Sequence, residues 1–382
     1  MFLSNACASR FFDNVFLHCF GLTIARLCST SAFQKSLKMN NITDTINAKR
    51  LLKPHNNLKH PVGQLKLLVQ DYFSDFSCFD DLSEVVSVKQ NFDDLLMPAD
   101  HPARSANDTY YLDNTTVLRT HTSAHQHELL ERGETKFLVT GDVYRKDTID
   151  KTHYPVFHQM EAVKVLPNSA NAFNDLIITL EGLVNHLFPQ KEYRFLDDYF
   201  PFTHPSLQIE IKEGDNWIEI LGGGVIQPKI LENCKVAGTG WAFGLGIERL
   251  LINLCGIPDI RYFWTNDERF IRQFQNGLTA FRAYSKYPVV KRDISFWVTN
   301  YAVNSEGIWE QHNNFSELCR DTGKDLIESI TLMDNYRKDN KVSLTYRIVY
   351  RSNDRTFLNE EINEIQNALR TNAEQKFNLL LR

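Results

Sequence analysis

Apolar residues recur at helical and strand spacings over the first three quarters of the chain, and they predict a mixed domain. Every third or fourth residue is apolar from Phe173 to Leu187 and again from Ile247 to Leu254, which predicts two amphipathic helices. The loosely periodic stretch Ala48–Phe76 predicts a helical entry. Short apolar runs bounded by polar residues predict strands at 110–112, 137–144, 157–166, 207–212 and 217–221. Because these strands do not alternate regularly with helices, we predict an α+β body with a mainly antiparallel sheet.

A second alternation predicts a smaller domain in the C-terminal quarter. From Val342 to Tyr350 every second residue is apolar, which is typical of a strand with one buried face. We expect Asn359 to cap the helix that follows, which carries an apolar stripe on one side. Strands at 294–298, 330–333 and 379–381 and a helix at 308–319 complete the order β-α-β-β-α-β, which is ferredoxin-like. We therefore predict domains at 39–284 and 285–382.

The composition excludes several classes of protein. Hydrophobic residues make up 43% and charged residues 23% of the 382, which excludes collagen-like, coiled-coil and wholly disordered chains. A formal net charge of −5 excludes a general polycation, so a nucleic-acid partner would need a local basic patch. The seven cysteines form no CxxC pair, which favours reduced thiols over a disulfide framework. No segment is long and apolar enough to span a bilayer, and we expect no membrane partner.

Residues 1–38 have the composition of a mitochondrial transit peptide. They hold four basic residues and one acid, Asp13, and are rich in Ser, so they carry +3 while the rest of the chain carries −8. A secretory signal is the alternative, but Asp13 and the lack of a basic start argue against it. The sequence therefore predicts import into the mitochondrial matrix.

The glycines between residues 238 and 246 do not form a known phosphate-binding loop. A GxGxxG motif would need glycine at Phe243 or at Arg249, and the chain contains no GxxxxGK. The stretch can be a tight joint between a strand and a helix, because glycine permits close backbone approach. Alternatively, Arg249 beside a glycine-lined surface suits an anion. Both readings remain open from the residues alone.

A predicted hairpin carries the densest group of polar and aromatic residues. One strand ends at Arg145 and the next begins near Phe157, so Arg145, Phe157, Gln159 and Glu161 share one face if the strands pair. Such a face can hold a phosphate, a flat base and an ammonium group. The alternative is a solvated hairpin face, which explains Arg145 but not Phe157.

Three histidines, His121, His125 and His127, invite comparison with a zinc site. The sequence offers no convincing third ligand from a cysteine or a carboxylate, so polar contacts to a small substrate are the better interpretation.

Five ordered segments resemble class II aminoacyl-tRNA synthetases, and among them the single-chain mitochondrial phenylalanyl-tRNA synthetases. The resemblance runs from about residue 55 to the C-terminus. Its segments are Asn91–Arg104, Leu118–Gln126, the Arg145 hairpin, Tyr199–Ser206 and Gly240–Arg249. The C-terminal domain, including Ser352–Asn363, resembles the ferredoxin-fold anticodon-binding domain.

The resemblance implies an enzyme that activates L-phenylalanine with ATP and Mg²⁺ and passes it to tRNA(Phe). Arg145 matches the arginine that grips the α-phosphate and the carboxylate. Phe157 matches the ring under adenine, and Arg249 matches the arginine on its other face. His153 corresponds to a position near the leaving pyrophosphate.

The resemblance also implies a set of phenylalanine-binding residues. Gln159 and Glu161 match acceptors of the α-ammonium group, and Phe200 and Phe202 match rings that meet the substrate ring edge-to-face. Ala242 matches the small residue on the pocket floor. The remaining predicted contacts are His121, Ser123, Ala124, His125 and Gln126.

The resemblance leaves the metal ligands and one alternative function open. His204 stands where relatives often carry an acid, so Glu219, before three glycines, is the single candidate ligand for Mg²⁺. Both domains lie on one chain, which implies a monomer with no second subunit. A catalytically silent tRNA-binding paralogue and a ligase for another amino acid are the alternatives. Intact Arg145 and Glu161 argue against the first, and the Phe200/Phe202 pair argues against the second.

Overall fold

The computed structural model describes residues 40–148, 150–265, 267–283, 287–299, 302–304, 307–352 and 355–382. The predicted transit peptide and the predicted boundary at 284/285 lie outside these residues. Among the described residues, no helix has both the length and the apolar character that crossing a membrane requires.

A seven-stranded sheet forms the centre of the first domain. Its strands are β1 (Ser77–Phe79), β4 (Lys136–Tyr144), β5 (Val156–Leu166), β6 (Tyr193–Phe200), β7 (Thr203–Glu213), β8 (Asn216–Ile226) and β9 (Thr239–Gly246). They lie in the order β1-β4-β5-β9-β8-β7-β6. Only β1 and β4 pair in parallel, and the other neighbours pair antiparallel, so the predicted α+β body with a mainly antiparallel sheet is confirmed.

Helices cover one face of this sheet. The main core combines apolar residues of the sheet with those of α2 (Pro61–Tyr72), α5 (Ala172–Leu187) and α7 (Ile247–Cys255). The other elements of the domain are α1 (Asp44–Arg50), β2 (Val85–Ser87), α3 (Val88–Asn91), β3 (Thr116–Leu118), α4 (Gln126–Glu131), α6 (Pro228–Asn233) and α8 (Glu268–Phe274).

Strand periodicity divides β5 and β9 between this core and the opposite face of the sheet. Met160 on β5 and Trp241 on β9 belong to the helix-covered core. Their neighbours Gln159, Glu161 and Ala242 point the other way, because side chains on a strand alternate between faces. Helices α4 and α6 pack on part of this second face, and the rest of it is available for a binding site.

The second domain is a ferredoxin-like unit, as predicted. Its elements are β10 (Val290–Thr299), α9 (His312–Gly323), β11 (Ile327–Lys338), β12 (Lys341–Tyr350), α10 (Asn359–Phe377) and β13 (Leu380–Leu381). The antiparallel strands lie in the order β11-β12-β10-β13, and the core they share with the helices includes Phe296, Phe315 and Tyr346.

Helix α9 of the second domain packs against the first domain through polar contacts. Tyr110 donates a hydrogen bond from its hydroxyl to Glu317, whose side chain is buried. Lys49 Nζ lies 3.0 Å from Asp325 Oδ2 in the turn after α9. The two domains therefore meet in a surface that contains buried charge.

Some predicted elements differ from the observed ones. The predicted entry helix is interrupted by a 3₁₀ turn at Pro54–Asn56, and a new helix begins at Pro61, because proline cannot donate a backbone hydrogen bond within a helix. Tyr110–Leu112 forms no strand: Tyr111 makes an isolated bridge with Val117.

In the second domain, two helix starts differ from the prediction. Helix α9 begins at His312 and not at Ile308, since Trp309 pairs with Val303 in a β-bridge. Leu358 holds the N-cap position of α10 and Asn359 lies inside the helix. The predicted cap is wrong because Glu361 reaches back to accept the Leu358 N–H at 2.9 Å.

Candidate active site

Two cavities adjoin on the open face of the sheet. The larger measures about 630 Å³ and the smaller about 300 Å³. Five residues line both cavities: Arg145, Asp147, Gln159, Glu219 and Gly244. A ligand in one cavity can therefore meet a ligand in the other beside the Arg145 guanidinium.

The β4–β5 register sets the predicted functional face. Val143 pairs with Phe157, Gly141 with Gln159 and Val139 with Glu161, and Arg145 N donates to Pro155 O at 3.0 Å. Alternate residues of the two strands consequently point into the cavities. Arg145, Phe157, Gln159 and Glu161 share one face, as the sequence predicts.

Arg145 lies at the junction of the cavities in a defined orientation. Its Nε donates to Thr120 O at 2.7 Å, and its Cζ lies 5.3 Å from the centroid of the Phe157 ring. The Nε contact fixes the guanidinium plane, and no carboxylate among the described residues forms an ion pair with it. The remaining guanidinium donors can take an anionic ligand, preferably in a bidentate way.

Glu161 places a buried carboxylate at the polar end of the larger cavity. Its side chain is 2% exposed, and Oε1 accepts from Gln126 Nε2 at 3.3 Å. The other oxygen, Oε2, has no partner in hydrogen-bonding geometry among the described residues. Burial raises the pKa of Glu161 to about 8, and the Ser123 hydroxyl offsets part of this rise. A buried carboxylate without a cation is suited to an ammonium ligand.

Gln159 is oriented by backbone on both sides. Its Oε1 accepts from Thr122 N at 3.1 Å, which leaves the amide nitrogen facing the Gly244 backbone on β9. A Cβ on Gly244 would lie 2.7 Å from Gln159 Nε2. Glycine at 244 therefore makes room for this side chain, because it carries no Cβ.

Two aromatic rings form the apolar wall of the larger cavity. The Phe200 and Phe202 rings lie nearly parallel, with centroids 5.8 Å apart at 20°, and His121 lies 6.2 Å from Phe202. A Cβ on Gly222 would lie 2.8 Å from Phe200 Cζ, so glycine is needed under this ring. Burial, and then the charge of Arg145, lower the pKa of His121 to about 3, which keeps its imidazole neutral.

Ala242 lies on the floor of the same cavity. It pairs with Val163 on β5 and with Gly224 on β8, and it is almost fully buried. A methyl group thus lies in the cavity lining between two neighbouring strands.

The smaller cavity contains the other predicted residues. Phe157, His153 and Arg249 all line it. Arg249 Nη1 lies 3.3 Å from Glu219 Oε2, and both side chains are about half exposed. His153 Nδ1 lies 2.6 Å from Asp150 Oδ2, a contact that raises the pKa of His153 and favours a charged imidazole beside the cavity. An aromatic ring, an arginine and a histidine in one cleft suit the base and the phosphates of a nucleoside triphosphate.

The described residues contain no group of three or more His, Cys, Asp or Glu side chains that could hold a metal ion on their own. Mg²⁺ takes one or two protein carboxylates and completes its coordination with water and phosphate oxygens. Glu219, which lines both cavities, fits a cation that arrives with a nucleotide.

The structure brings most, but not all, of the predicted pocket residues together. His121 and Ser123 line the larger cavity, and Gln126 reaches it only through Glu161. Ala124 packs in a separate small cluster with Val86, Tyr111 and Val117. His125 also faces away, toward Arg119 Nη1 at 2.9 Å and Glu128 at 3.1 Å. Both assignments are corrected: successive side chains of the 3₁₀ turn Thr122–His125 point in different directions, so Ser123 faces the cavity while Ala124 and His125 do not.

Several lining residues are missing from the sequence-based set. They include Met97, Thr120, Asp147, Tyr199, Gly222, Gly223, Gly244 and Asn313. Tyr199 and the glycines lie inside or beside the segments that carry the family resemblance, so those segments contain a signal for them. Asn313 belongs to the second domain, and only its position in the folded chain reveals it.

Comparisons with known proteins agree with this geometry. The family described as tRNA synthetases class II core domain (F) matches residues 46–274, and the ferredoxin-fold anticodon binding domain matches residues 285–382.

Three curated relatives span most of the chain. Phenylalanine–tRNA ligase, chloroplastic/mitochondrial, of Arabidopsis thaliana is 46% identical, with 95% of this chain and 86% of that protein covered. The mitochondrial phenylalanine–tRNA ligase of Dictyostelium discoideum is 39% identical, covering 90% and 89%. The enzyme of that name from Saccharomyces cerevisiae is 34% identical, covering 90% and 92%. With its paired cavities, its class II core and its anticodon-binding domain, the chain belongs to the mitochondrial phenylalanine–tRNA ligases of the class II aminoacyl-tRNA synthetases.

Proposed function

We propose that this chain activates L-phenylalanine with ATP and transfers it to mitochondrial tRNA(Phe). One observation carries the proposal. A cavity with an aromatic wall ends at the buried carboxylate of Glu161, which has no cation partner among the described residues, and this cavity meets a nucleotide-type cleft at Arg145. An amino acid with a flat apolar side chain fits the first cavity at both ends: its ammonium group pairs with Glu161, and its side chain packs against the aromatic wall.

In the first step, an oxygen of the phenylalanine carboxylate attacks the α-phosphorus of ATP. A bond forms between this oxygen and the α-phosphorus. The bond between the α-phosphorus and the oxygen that bridges it to the β-phosphorus breaks, and pyrophosphate leaves. Arg145 contacts both reactants at the junction of the cavities, where negative charge is concentrated in the transition state. The step requires positioning more than proton transfer, so the alignment of the two ligands is the main contribution.

Binding at the amino group selects an α-amino acid. Glu161 supplies a negative charge to the ammonium group, and Gln159 contributes its amide oxygen, which already accepts from Thr122 N. Phe200 and Phe202 cover the side chain, and aromatic contacts of this kind contribute about 0.5–1.5 kcal/mol beyond burial.

The nucleotide lies between Phe157 and Arg249, with His153 toward the pyrophosphate. Support comes from the lining of the smaller cavity and from the raised pKa of His153, which favours a cation beside the phosphates. Glu219, which lines both cavities, would hold the Mg²⁺ that accompanies ATP, and that cation would supply neutralisation of the charge on the leaving pyrophosphate.

In the second step, a hydroxyl of the terminal ribose of tRNA attacks the carbonyl carbon of the adenylate. An ester forms, AMP leaves with the former anhydride oxygen, and the hydroxyl proton is released. The ferredoxin-like domain binds the anticodon, in keeping with its resemblance to anticodon-binding domains.

The enzyme works as a monomer in the mitochondrial matrix. The names of the relatives and the +3 charge of residues 1–38 support the location. The presence of a class II core and an anticodon-binding domain on one chain supports the oligomeric state. Two measurements on residues 39–382 test this: light scattering should report a monomer, and that monomer should charge tRNA. An activity that requires a second subunit would contradict the proposal.

Pyrophosphate exchange tests the proposed function against its two alternatives. Exchange that depends on phenylalanine supports the proposal. Exchange with another amino acid identifies a different ligase, and tRNA binding without any exchange identifies a silent paralogue.

Replacing Ala242 with glycine is expected to enlarge the floor of the phenylalanine cavity. The ratio of kcat/KM for p-chlorophenylalanine to that for phenylalanine should rise, because the apolar substituent needs only volume. Phenylalanine itself should lose some affinity through the new void. Both constants are measured by pyrophosphate exchange in wild type and variant. An unchanged ratio would show that Ala242 does not face the para carbon of the substrate.

A further inference from the structure

The N-terminal turn of α9, in the second domain, reaches the wall of the phenylalanine cavity. Asn313 lines this cavity, and its amide nitrogen lies within reach of three oxygens of the first domain. Asn313 Nδ2 lies 3.0 Å from Asp108 Oδ1, 3.3 Å from Asn107 O and 3.4 Å from Lys146 O. Asn313 therefore joins two segments of the cavity mouth, and one of these segments directly follows Arg145.

The residues after Arg145 depend on the second domain for much of their polar contact. Lys146 is 7% exposed, and its Nζ donates to Ala106 O and to Asn314 Oδ1, each at 3.0 Å. Arg320 Nη2 donates to Asp147 O at 3.3 Å. The two backbone carbonyls that follow Arg145 thus both accept hydrogen bonds from α9.

The sheet alone gives this segment little support. The β4–β5 ladder ends with the pair Tyr144–Val156, and one further bond joins Arg145 N to Pro155 O. Beyond that bond, Lys146 N donates to Asp108 O at 2.9 Å, and Asp108 is itself held by Asn313. A shift of this segment would move the Arg145 guanidinium relative to both cavities.

We propose that Asn313 is a positioning residue for phenylalanine activation, which acts through the Lys146 backbone to hold Arg145 at the junction of the cavities. The second domain then contributes to adenylate formation as well as to tRNA binding. This inference rests on the proposed function, because it assigns Asn313 a part in the reaction that Arg145 carries.

The test is steady-state pyrophosphate exchange with ATP and phenylalanine, for wild type and variants of the full domain pair. Asn313→Ala is expected to lower kcat by about three- to tenfold, the effect of losing a neutral hydrogen bond. The KM for phenylalanine should change less than twofold, since Glu161, Gln159 and Phe200 keep their places. The melting temperature should stay within a few degrees of wild type.

Two further substitutions at the same position keep the test decisive. Asn313→Asp preserves volume but removes the amide donor and opposes Asp108, so its kcat should be at or below that of the alanine variant. Asn313→Gln retains the donor on a longer side chain and should recover part of the rate. A role in packing alone predicts wild-type activity for Asn313→Asp, and that result would overturn the proposal.

Lys49→Met is the matched control for docking of the second domain. The Lys49–Asp325 ion pair joins the same two domains, and neither residue lines a cavity. This variant should keep the wild-type kcat in exchange. An equal loss in Lys49→Met and Asn313→Ala would assign the effect to docking in general and overturn the specific role of Asn313. A wild-type enzyme without phenylalanine-dependent exchange would instead refute the proposed function, and this inference would fall with it.

Discussion

Replacing Arg145 with alanine is expected to lower the rate of phenylalanine-dependent pyrophosphate exchange by about 10²–10³-fold, the usual cost of losing one preorganised contact to a developing charge. The guanidinium lines both cavities and is oriented by its Nε bond to Thr120 O. Water cannot replace it at the point where two anionic groups must approach each other. Folding should be largely unaffected, because the side chain is exposed within the cavities.

The controls for Arg145 separate charge from geometry. Arg145→Lys keeps the positive charge but not the planar fork, so it should recover only part of the lost rate. Arg132→Ala removes an exposed arginine that pairs with Glu128 and lines neither cavity, and it should behave as wild type. Near-normal exchange by Arg145→Ala, in a protein shown to be folded, would show that the reactants do not meet at this side chain.

Replacing Glu161 with glutamine should raise the KM for phenylalanine by at least about 30-fold, since losing one partner of a buried charge pair costs about 2–5 kcal/mol. The Glu161 carboxylate is buried and has no cation partner among the described residues, so the substrate ammonium is its natural counterion. Glu131→Gln, at an exposed carboxylate on α4, is the control and should leave KM unchanged. A small change in Glu161→Gln would place the ammonium group elsewhere.

The pH dependence of phenylalanine binding follows from the raised pKa of Glu161. With a pKa of about 8, the free enzyme is largely protonated at this carboxyl below that pH, and only the ionised form attracts an ammonium group. The KM for phenylalanine should therefore fall by up to about tenfold per pH unit from pH 6 toward 8 and level off above 8. The glutamine variant should lack this dependence.

The same shift has a consequence for stability. Between the ordinary pKa of a glutamate and about 8, the folded state binds more protons at Glu161 than the unfolded state does, so this group lowers stability as pH rises. At pH 8 and above, Glu161→Gln should consequently melt higher than wild type, although it binds phenylalanine poorly. Thermal unfolding of both proteins at pH 6 and pH 8.5 measures this difference.

Local periodicity predicts the parts of the site that depend on strand register. Arg145, Phe157 and Gln159 could be placed on one face from sequence, because successive side chains of a strand point to opposite faces of the sheet. The turn Thr122–His125 has no such simple period, and the contacts that the family resemblance implies for Ala124 and His125 are not found in the cavity.

The contact of Asn313 with the segment after Arg145 could not be predicted from the sequence. Asn313 lies on a helix whose start the apolar pattern misplaced, and no local signal connects it with Lys146. The Gly244–Gln159 contact is intermediate: the glycine stretch predicts close backbone approach, but the side chain that uses the space follows only from the pairing of β5 with β9.

The most direct test of the proposed function is pyrophosphate exchange by residues 39–382 with each of the twenty amino acids in turn, followed by charging of mitochondrial tRNA(Phe). We expect exchange to be fastest with phenylalanine. Tyrosine should be next and only about 10²-fold weaker, because an apolar cavity rejects an added hydroxyl modestly. Phenylalanine should then be transferred to the tRNA. Exchange that is faster with another amino acid, or no exchange from a folded protein that still binds tRNA, would contradict the assignment of the cavity that Glu161 and Phe200 line.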